Sequence, residues 1–211
     1  MAGAESFDIS DGRGAARRER ASAEREATVS RILAGARAVL REHTVFDLTF
    51  AVVADAAGTT RQTVHTYFPS VSDLIFAIAD EVTVAFQRAG TGLDAGASDF
   101  PYRYADRVAD IALADPIPNR QVLLVSASQG RRGSPASLSW EEVLPVLEKR
   151  SAVSADDAAW LSLTLFRGAL FTWAVEETSK EALRADLHKV ADLVTAQRRV
   201  WSEEAERAGN L

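Results

Sequence analysis

Cysteine is absent from the 211 residues, which removes disulfides, thiolate metal ligands and cysteine nucleophiles. Glycine (12) and proline (6) are sparse while Ala, Leu, Glu and Arg are plentiful, a balance that favours helix over strand. No long apolar run is free of charge. The longest tract, Ala158 to Val175, carries Arg167 near its middle, where a charge in lipid costs about 2.5–3.5 kcal/mol or more, so a buried helix is expected there and no membrane span. The first 20 residues mix Asp, Glu and Arg without an apolar core, unlike a secretory signal, and a cytoplasmic protein is expected.

Catalytic signatures are also missing. His43, His65 and His188 are scattered with no second His at ligand spacing, so no metal and no cofactor are expected. There is no G-x-S-x-G and no Walker A, and "GTGLDAG" at 90–96 misses the dinucleotide fingerprint by one residue. The acidic pairs Glu141-Glu142, Asp156-Asp157 and Glu203-Glu204 fall near helix ends or on a terminal helix, where solvation and helix dipoles account for them. An enzyme is not expected.

Positive charge is scarce overall and concentrated where it occurs. The net charge is −6, yet residues 12–68 hold nine Arg against six acids, a local excess of +3. A basic N-terminal quarter on an acidic body suits a docked polyanion, as it also suits a solvated helix face.

The apolar period predicts an all-α chain of about nine helices. Residues 1–21 read as a disordered Arg-rich arm. From Ser22, the residues Val29, Ile32, Leu33, Ala36, Val39 and Leu40 recur at helical spacing to near His43, with Phe46 and Leu48 expected to fold back onto that helix. Thr49 can cap the short segment "FAVVADAA", which Gly58 can end in the left-handed conformation. Thr59 or Thr60 then caps a second short helix, Thr59 and Gln62 having capping-box spacing. Two short helices around a Gly turn are the sequence form of a helix-turn-helix. Phe68 and Pro69 end it, and Ser70 with Asp73 opens a long helix through Phe86.

The break "GTGLDAGAS" at 90–98 divides the chain. The expected units are an arm (1–21), a helix-turn-helix domain (22–70), a linking helix (71–90) and a ligand-binding and dimerisation domain (91–211). The last holds helices near 99–114, 118–128, 140–150, 154–177 and 180–207. The penultimate helix is apolar nearly all round, and the last carries Leu183, Leu187, Val190, Val194 and Trp201 in an approximate heptad stripe. Such a pair can form half of an intermolecular four-helix bundle or pack within one chain.

The stretch "AAGTTRQTVHTYFPSVS" (56–72) contains no Asp or Glu. In its helix, Val64 and Phe68 can face a core, leaving Arg61, Gln62, Thr63, His65, Thr66 and Tyr67 on or beside the open face. Those groups suit a major groove: Arg can grip guanine O6 and N7, Gln the adenine edge, and a Thr methyl the thymine methyl. On the residues alone, a solvated polar connector fits as well.

"LTFAVVADAAGTTRQTVHTYFPSVSDLI" closely resembles the DNA-binding region of the tetracycline-repressor (TetR) family of bacterial regulators. The match rests on the Thr that caps helix two, Ala-Ala-Gly before the turn, the polar cap at Thr60, the aromatic pair before Pro69, and Asp73-Leu74 in helix four. It covers about residues 24–80; the remainder agrees in helix number, length and order. The resemblance implies base contacts from Arg61, Gln62, His65 and Thr66, and phosphate contacts from Thr49, Thr63 and Tyr67. The family often has Tyr where this chain has His65 and usually Lys where it has Val71. A compensating role for the arm, through Arg13, Arg17, Arg18 and Arg20, is a hypothesis. "FRGALFTWAVEE" looks like the family's dimer-interface helix, giving Arg167, Gly168, Leu187, Val190, Val194 and Trp201 as interface candidates.

The implied chamber for an unknown small-molecule effector would draw on Phe86, Tyr102, Tyr104, Trp140, Phe166 and Trp173, although aromatics at helical spacing are more often plain core. The expectation is a ligand-responsive homodimer binding a palindromic double-stranded DNA operator, most simply as a repressor. The alternative is a dimeric all-helical ligand-binding or adaptor protein that has lost operator binding.

Overall fold

The computed structural model describes residues 9–94, 96–128 and 155–209. All regular structure among them is helical: α1 (Ile9–Glu42), a 3-10 turn (Val45–Asp47), α2 (Phe50–Ala56), α3 (Arg61–Tyr67), α4 (Val71–Arg88), α5 (Phe100–Ala114), α6 (Pro116–Ser128), α7 (Ala155–Glu176) and α8 (Lys180–Gly209). The helix expected near 140–150 and the loop before it lie outside the described residues. No described helix is long and apolar enough to cross a membrane.

The short helices form where local chemistry satisfies their ends. Thr49 accepts from the Val52 amide at 3.3 Å to start α2, and Thr60 accepts from the Thr63 amide at 3.0 Å to start α3. Thr60, not Thr59, is therefore the cap of α3; the Thr59–Gln62 box does not form. Gly58 has φ of 59°, the left-handed conformation that closes the turn between these helices. The Ser70–Asp73 box forms at the start of α4, with the Asp73 amide donating to Ser70 Oγ at 3.1 Å and the Ser70 amide to Asp73 Oδ2 at 3.1 Å.

Two local expectations change. Helix α1 begins at Ile9, so the segment read as a disordered arm supplies its first turns. "AARRERASAEREA" has strong helix formers, and extending a helix already nucleated on a core costs far less than starting one. Phe46 does not pack back onto α1: it is 91% exposed, whereas Leu48 is buried as expected.

One apolar core runs the length of the molecule, from Ile32, Ala36 and Leu40 of α1 through Leu74, Ile78 and Val82 of α4 to Trp173 of α7 and Leu183 and Leu187 of α8. Helix α4 packs on α1, α5 and α6, and so links the helix-turn-helix to the C-terminal helical region. Helix α8 lies chiefly against α5 and α7.

That packing decides the fate of the heptad stripe. Leu187, Val190 and Val194 are buried inside the single chain, so these three interface candidates serve the fold instead. The stripe needed an apolar partner, and α5 and α7 supply one that periodicity alone could not distinguish from a second copy.

Candidate nucleic-acid interface

Helix α3 is held by its inward residues and presents its polar ones. Val64 and Phe68 are buried, while Arg61, Gln62, His65 and Thr66 are exposed and Thr63 and Tyr67 half-buried. The four residues expected at base edges thus share the open side of one short helix. The His65 ring meets Phe50 of α2 edge-on, with centroids 5.7 Å apart, which braces the turn between the helices. Thr66 donates to the Gln62 carbonyl at 2.9 Å, occupying its hydroxyl proton and leaving its methyl as the distinctive group to offer.

The phosphate candidates are divided. Thr49 is exposed, its hydroxyl oxygen already used as a cap; Thr63 shares a 2.8 Å hydrogen bond with Thr60 between their hydroxyls. The Arg25 guanidinium of α1 sits 5.2 Å from the centroid of the Tyr67 ring, joining the long helix to the end of α3. Val71, where a Lys is usual in the family it resembles, is packed partly against the core and offers no charge. Arg17, Arg18 and Arg20 are exposed on α1; Arg13 lies in its first turns.

Two features that position α1 against its neighbours escaped the sequence reading. Gly35 of α1 permits a close crossing: a Cβ there would lie 2.8 Å from both the Cβ and the backbone nitrogen of Ala57. A glycine inside "LAGARA" was the available signal, since an interior helical glycine costs stability and often marks close approach. The second feature is a polar clasp between α1 and α6. Gln121 accepts from the Val45 amide at 2.6 Å and donates to the carbonyls of Leu40 at 2.8 Å and His43 at 3.0 Å. Beside it Arg41 grips Asp115 through two 2.9 Å bonds, and Arg37 reaches Asn119 at 3.0 Å and Glu81 at 3.1 Å. These partners are 44 to 82 residues apart in the chain, so no local pattern announces them.

The effector-chamber candidates do not gather around one described cleft. Phe86, Phe166 and Trp173 are core residues. The Arg120 guanidinium lies over the Trp173 ring at 4.4 Å. Tyr104 packs between Phe100 and Phe166, at centroid distances of 6.0 and 5.2 Å, and burial pushes its phenol up to about 12. Tyr102 instead bonds Asp192 at 2.6 Å on the outer side of α5 and α8, and Trp140 lies outside the described residues. An open cleft of about 610 Å³ lies elsewhere, between the 3-10 turn, α6 and the α7–α8 connection, lined by Phe46, Ile117, Arg120, Leu124 and Glu177 among others. No group of three or more potential metal-ligating side chains occurs among the described residues.

An all-helical protein whose two short N-terminal helices meet at a left-handed glycine, with the second presenting a polar, acid-free side, is a helix-turn-helix protein. Residues 32–78 match the family model "Bacterial regulatory proteins, tetR family". That segment is a DNA-binding domain of the tetR family, and the fold and domain are those of a TetR-family transcriptional regulator.

Solved structures agree in fold. A TetR transcriptional regulator from Rhodococcus sp. RHA1 is 18% identical, with 81% of this chain and 96% of that one covered and a TM-score of 0.59. A tetR-family regulator from Streptomyces coelicolor is 15% identical, with 85% of each chain covered and a TM-score of 0.63. A protein described as the flavonoid-responsive regulator FrrA is 18% identical, with coverages of 82% and 97% and a TM-score of 0.50. No curated protein matches the sequence.

Proposed function

We propose that the protein is a ligand-responsive repressor that binds a palindromic operator as a homodimer in the cytoplasm, occluding a promoter. The observation that carries this reading is the open side of α3, where Arg61, Gln62, His65 and Thr66 stand exposed together on a helix anchored by Val64 and Phe68. In the bound state these four meet base edges, while Thr49, Thr63 and Tyr67 meet phosphates. Residues 22–70 act as the reading head, 71–90 as the link, and 91–211 as the effector and dimerisation region.

The dimer forms through α7 and α8, by surfaces left after the chain has folded. Gly168 is exposed, and among the described residues nothing lies within 4 Å of the position a Cβ would take, so a second helix can approach closely. Along the same side of α7 lie half-buried Leu161 and Leu165, exposed Thr172, and Val175, which is 62% exposed. On α8, Leu193 and Val200 are 57% and 47% exposed, beside half-buried Trp201. Arg167, whose burial lowers its pKa, lies at the edge of this seam and orients the pair. Such a twofold arrangement sets two reading heads on successive major grooves. An effector releases the operator by binding the DNA-incompetent shape more tightly than the competent one.

The test is selection of bound duplexes from a random pool by the purified full-length protein, followed by salt titration of the winner. A palindromic winner with a steep salt dependence supports the reading. A folded dimer that enriches no sequence at any salt concentration would overturn it in favour of the adaptor reading, to which Val71 in the place of the usual Lys points.

A further inference from the structure

We infer that the N-terminal part of α1, from Gly14 to Arg25, is a rigid second DNA-contacting surface that meets the phosphate backbone beside α3 through Arg18 and Arg25. The inference rests on the operator-binding reading above and replaces a flexible arm by a helix of fixed direction.

At about 100° per residue, a helix repeats its facing closely every seven residues. Arg18, Arg25 and Ile32 therefore share one side of α1. Ile32 is buried against the helix-turn-helix, and Arg25 lies over Tyr67 at the end of α3. Two turns further out, about 10 Å along the axis, the same side reaches Arg18. Arg18 is exposed, as are Ala21 and Ser22 between the two arginines.

From Gly14 to Ile32 this side carries no carboxylate. The acids nearest to Arg25, Glu24 and Glu26, are each turned about 100° away, and Glu26 is held by the Ser22 hydroxyl at 3.1 Å. Arg20, by contrast, lies about 140° round the helix from Arg25. The surface is thus two cations with small residues between them, continuous with the helix-turn-helix and adjoining its polar helix. Small residues allow a backbone to approach, and the arginines supply charge-assisted hydrogen bonds to phosphate oxygens. An interval of about 10 Å corresponds to about three base-pair steps at 3.4 Å each, so both guanidinium groups can reach one strand. Arg17 and Arg20 are then bystanders, and the phosphate partner missing at Val71 is replaced from α1.

The experiment is a salt titration of operator binding by the full-length protein and its variants Arg18→Gln, Arg20→Gln and Ala21→Pro. Arg18→Gln should flatten log K against log salt by about 0.9 for each contact, or about 1.8 for a dimer, while Arg20→Gln leaves the slope unchanged. Ala21→Pro keeps every charge but breaks the helix between the arginines, and should reproduce the Arg18→Gln slope. An unchanged slope for Arg18→Gln, or equal losses for Arg18→Gln and Arg20→Gln, would overturn the surface. A wild-type slope for Ala21→Pro would overturn the rigid helix in favour of a flexible arm. Wild-type protein that enriches no duplex fails the operator reading itself, and this surface with it.

Discussion

The two ends of the molecule leave different things uncovered. Around α3 the apolar side chains are spent on the core and what remains outside is hydrogen-bonding: Arg61, Gln62, His65 and Thr66. On α7 and α8 the remainder is the opposite, with Val175, Leu193 and Val200 exposed and Gly168 also exposed. A polar remainder without acids fits a hydrated polyanion, and an apolar remainder fits a second copy of the same surface. Two glycines make the contrast sharpest. Gly35 is closed over by Ala57 within its own chain, whereas a Cβ at Gly168 would meet nothing within 4 Å among the described residues.

Substituting each glycine separates fold from assembly. Gly35→Ala drives a methyl against Ala57, including its backbone nitrogen, and should destabilise the protein by about 1–3 kcal/mol or more, read by denaturant unfolding. An unchanged midpoint would mean that α1 and α2 have room to separate. Gly168→Arg should leave unfolding of the single chain nearly unchanged but convert the dimer to monomer, with operator affinity falling as the second half-site is lost. Sedimentation velocity decides it, and a persistent dimer would move the interface off α7.

Smaller effects probe the polar end. Arg61→Ala should cost about 1–3 kcal/mol of operator binding and relax the preference at one base position in each half-site. Binding weakened equally for all sequences would instead make Arg61 a phosphate ligand. Thr60→Ala removes the cap of α3 and should cost about 1 kcal/mol of stability, with faster hydrogen exchange confined to residues 61–67. Exchange spread evenly over the chain would show that α3 does not open on its own.

The same contrast explains what could be read from the sequence. The helix-turn-helix was legible because its determinants are local: Thr49 and Ser70 at caps, Gly58 at the turn, and Val64 and Phe68 at helical spacing. The C-terminal region was legible as helices but not as surfaces. Leu187, Val190 and Val194 form a stripe that would suit either a partner or the chain's own core, and only packing chose the core. Aromatic spacing on a helix likewise does not reveal what stands opposite: Phe86, Phe166 and Trp173 lie in the core, whereas Tyr102 bonds Asp192 on the outer side of α5 and α8. The bonds of Gln121 and the pairing of Arg41 with Asp115 join residues more than 70 positions apart, where no periodicity operates. The length of α1 was missed because disorder was inferred from polarity, although "ARRERASAEREA" is also a good helix once anchored.

The clasp on α6 has a mechanical consequence. It grips α1 near Arg37 and Arg41, at one end of a helix that carries Arg18 towards the other. Nineteen residues separate Arg37 from Arg18, an arm of about 28 Å, so turning α1 by about 5° at the clasp would carry Arg18 through about 2.5 Å. A hydrogen bond stretched that far is broken. If Arg18 holds a phosphate as inferred above, a displacement of α6 that turned α1 by so little would decide between holding that phosphate and missing it.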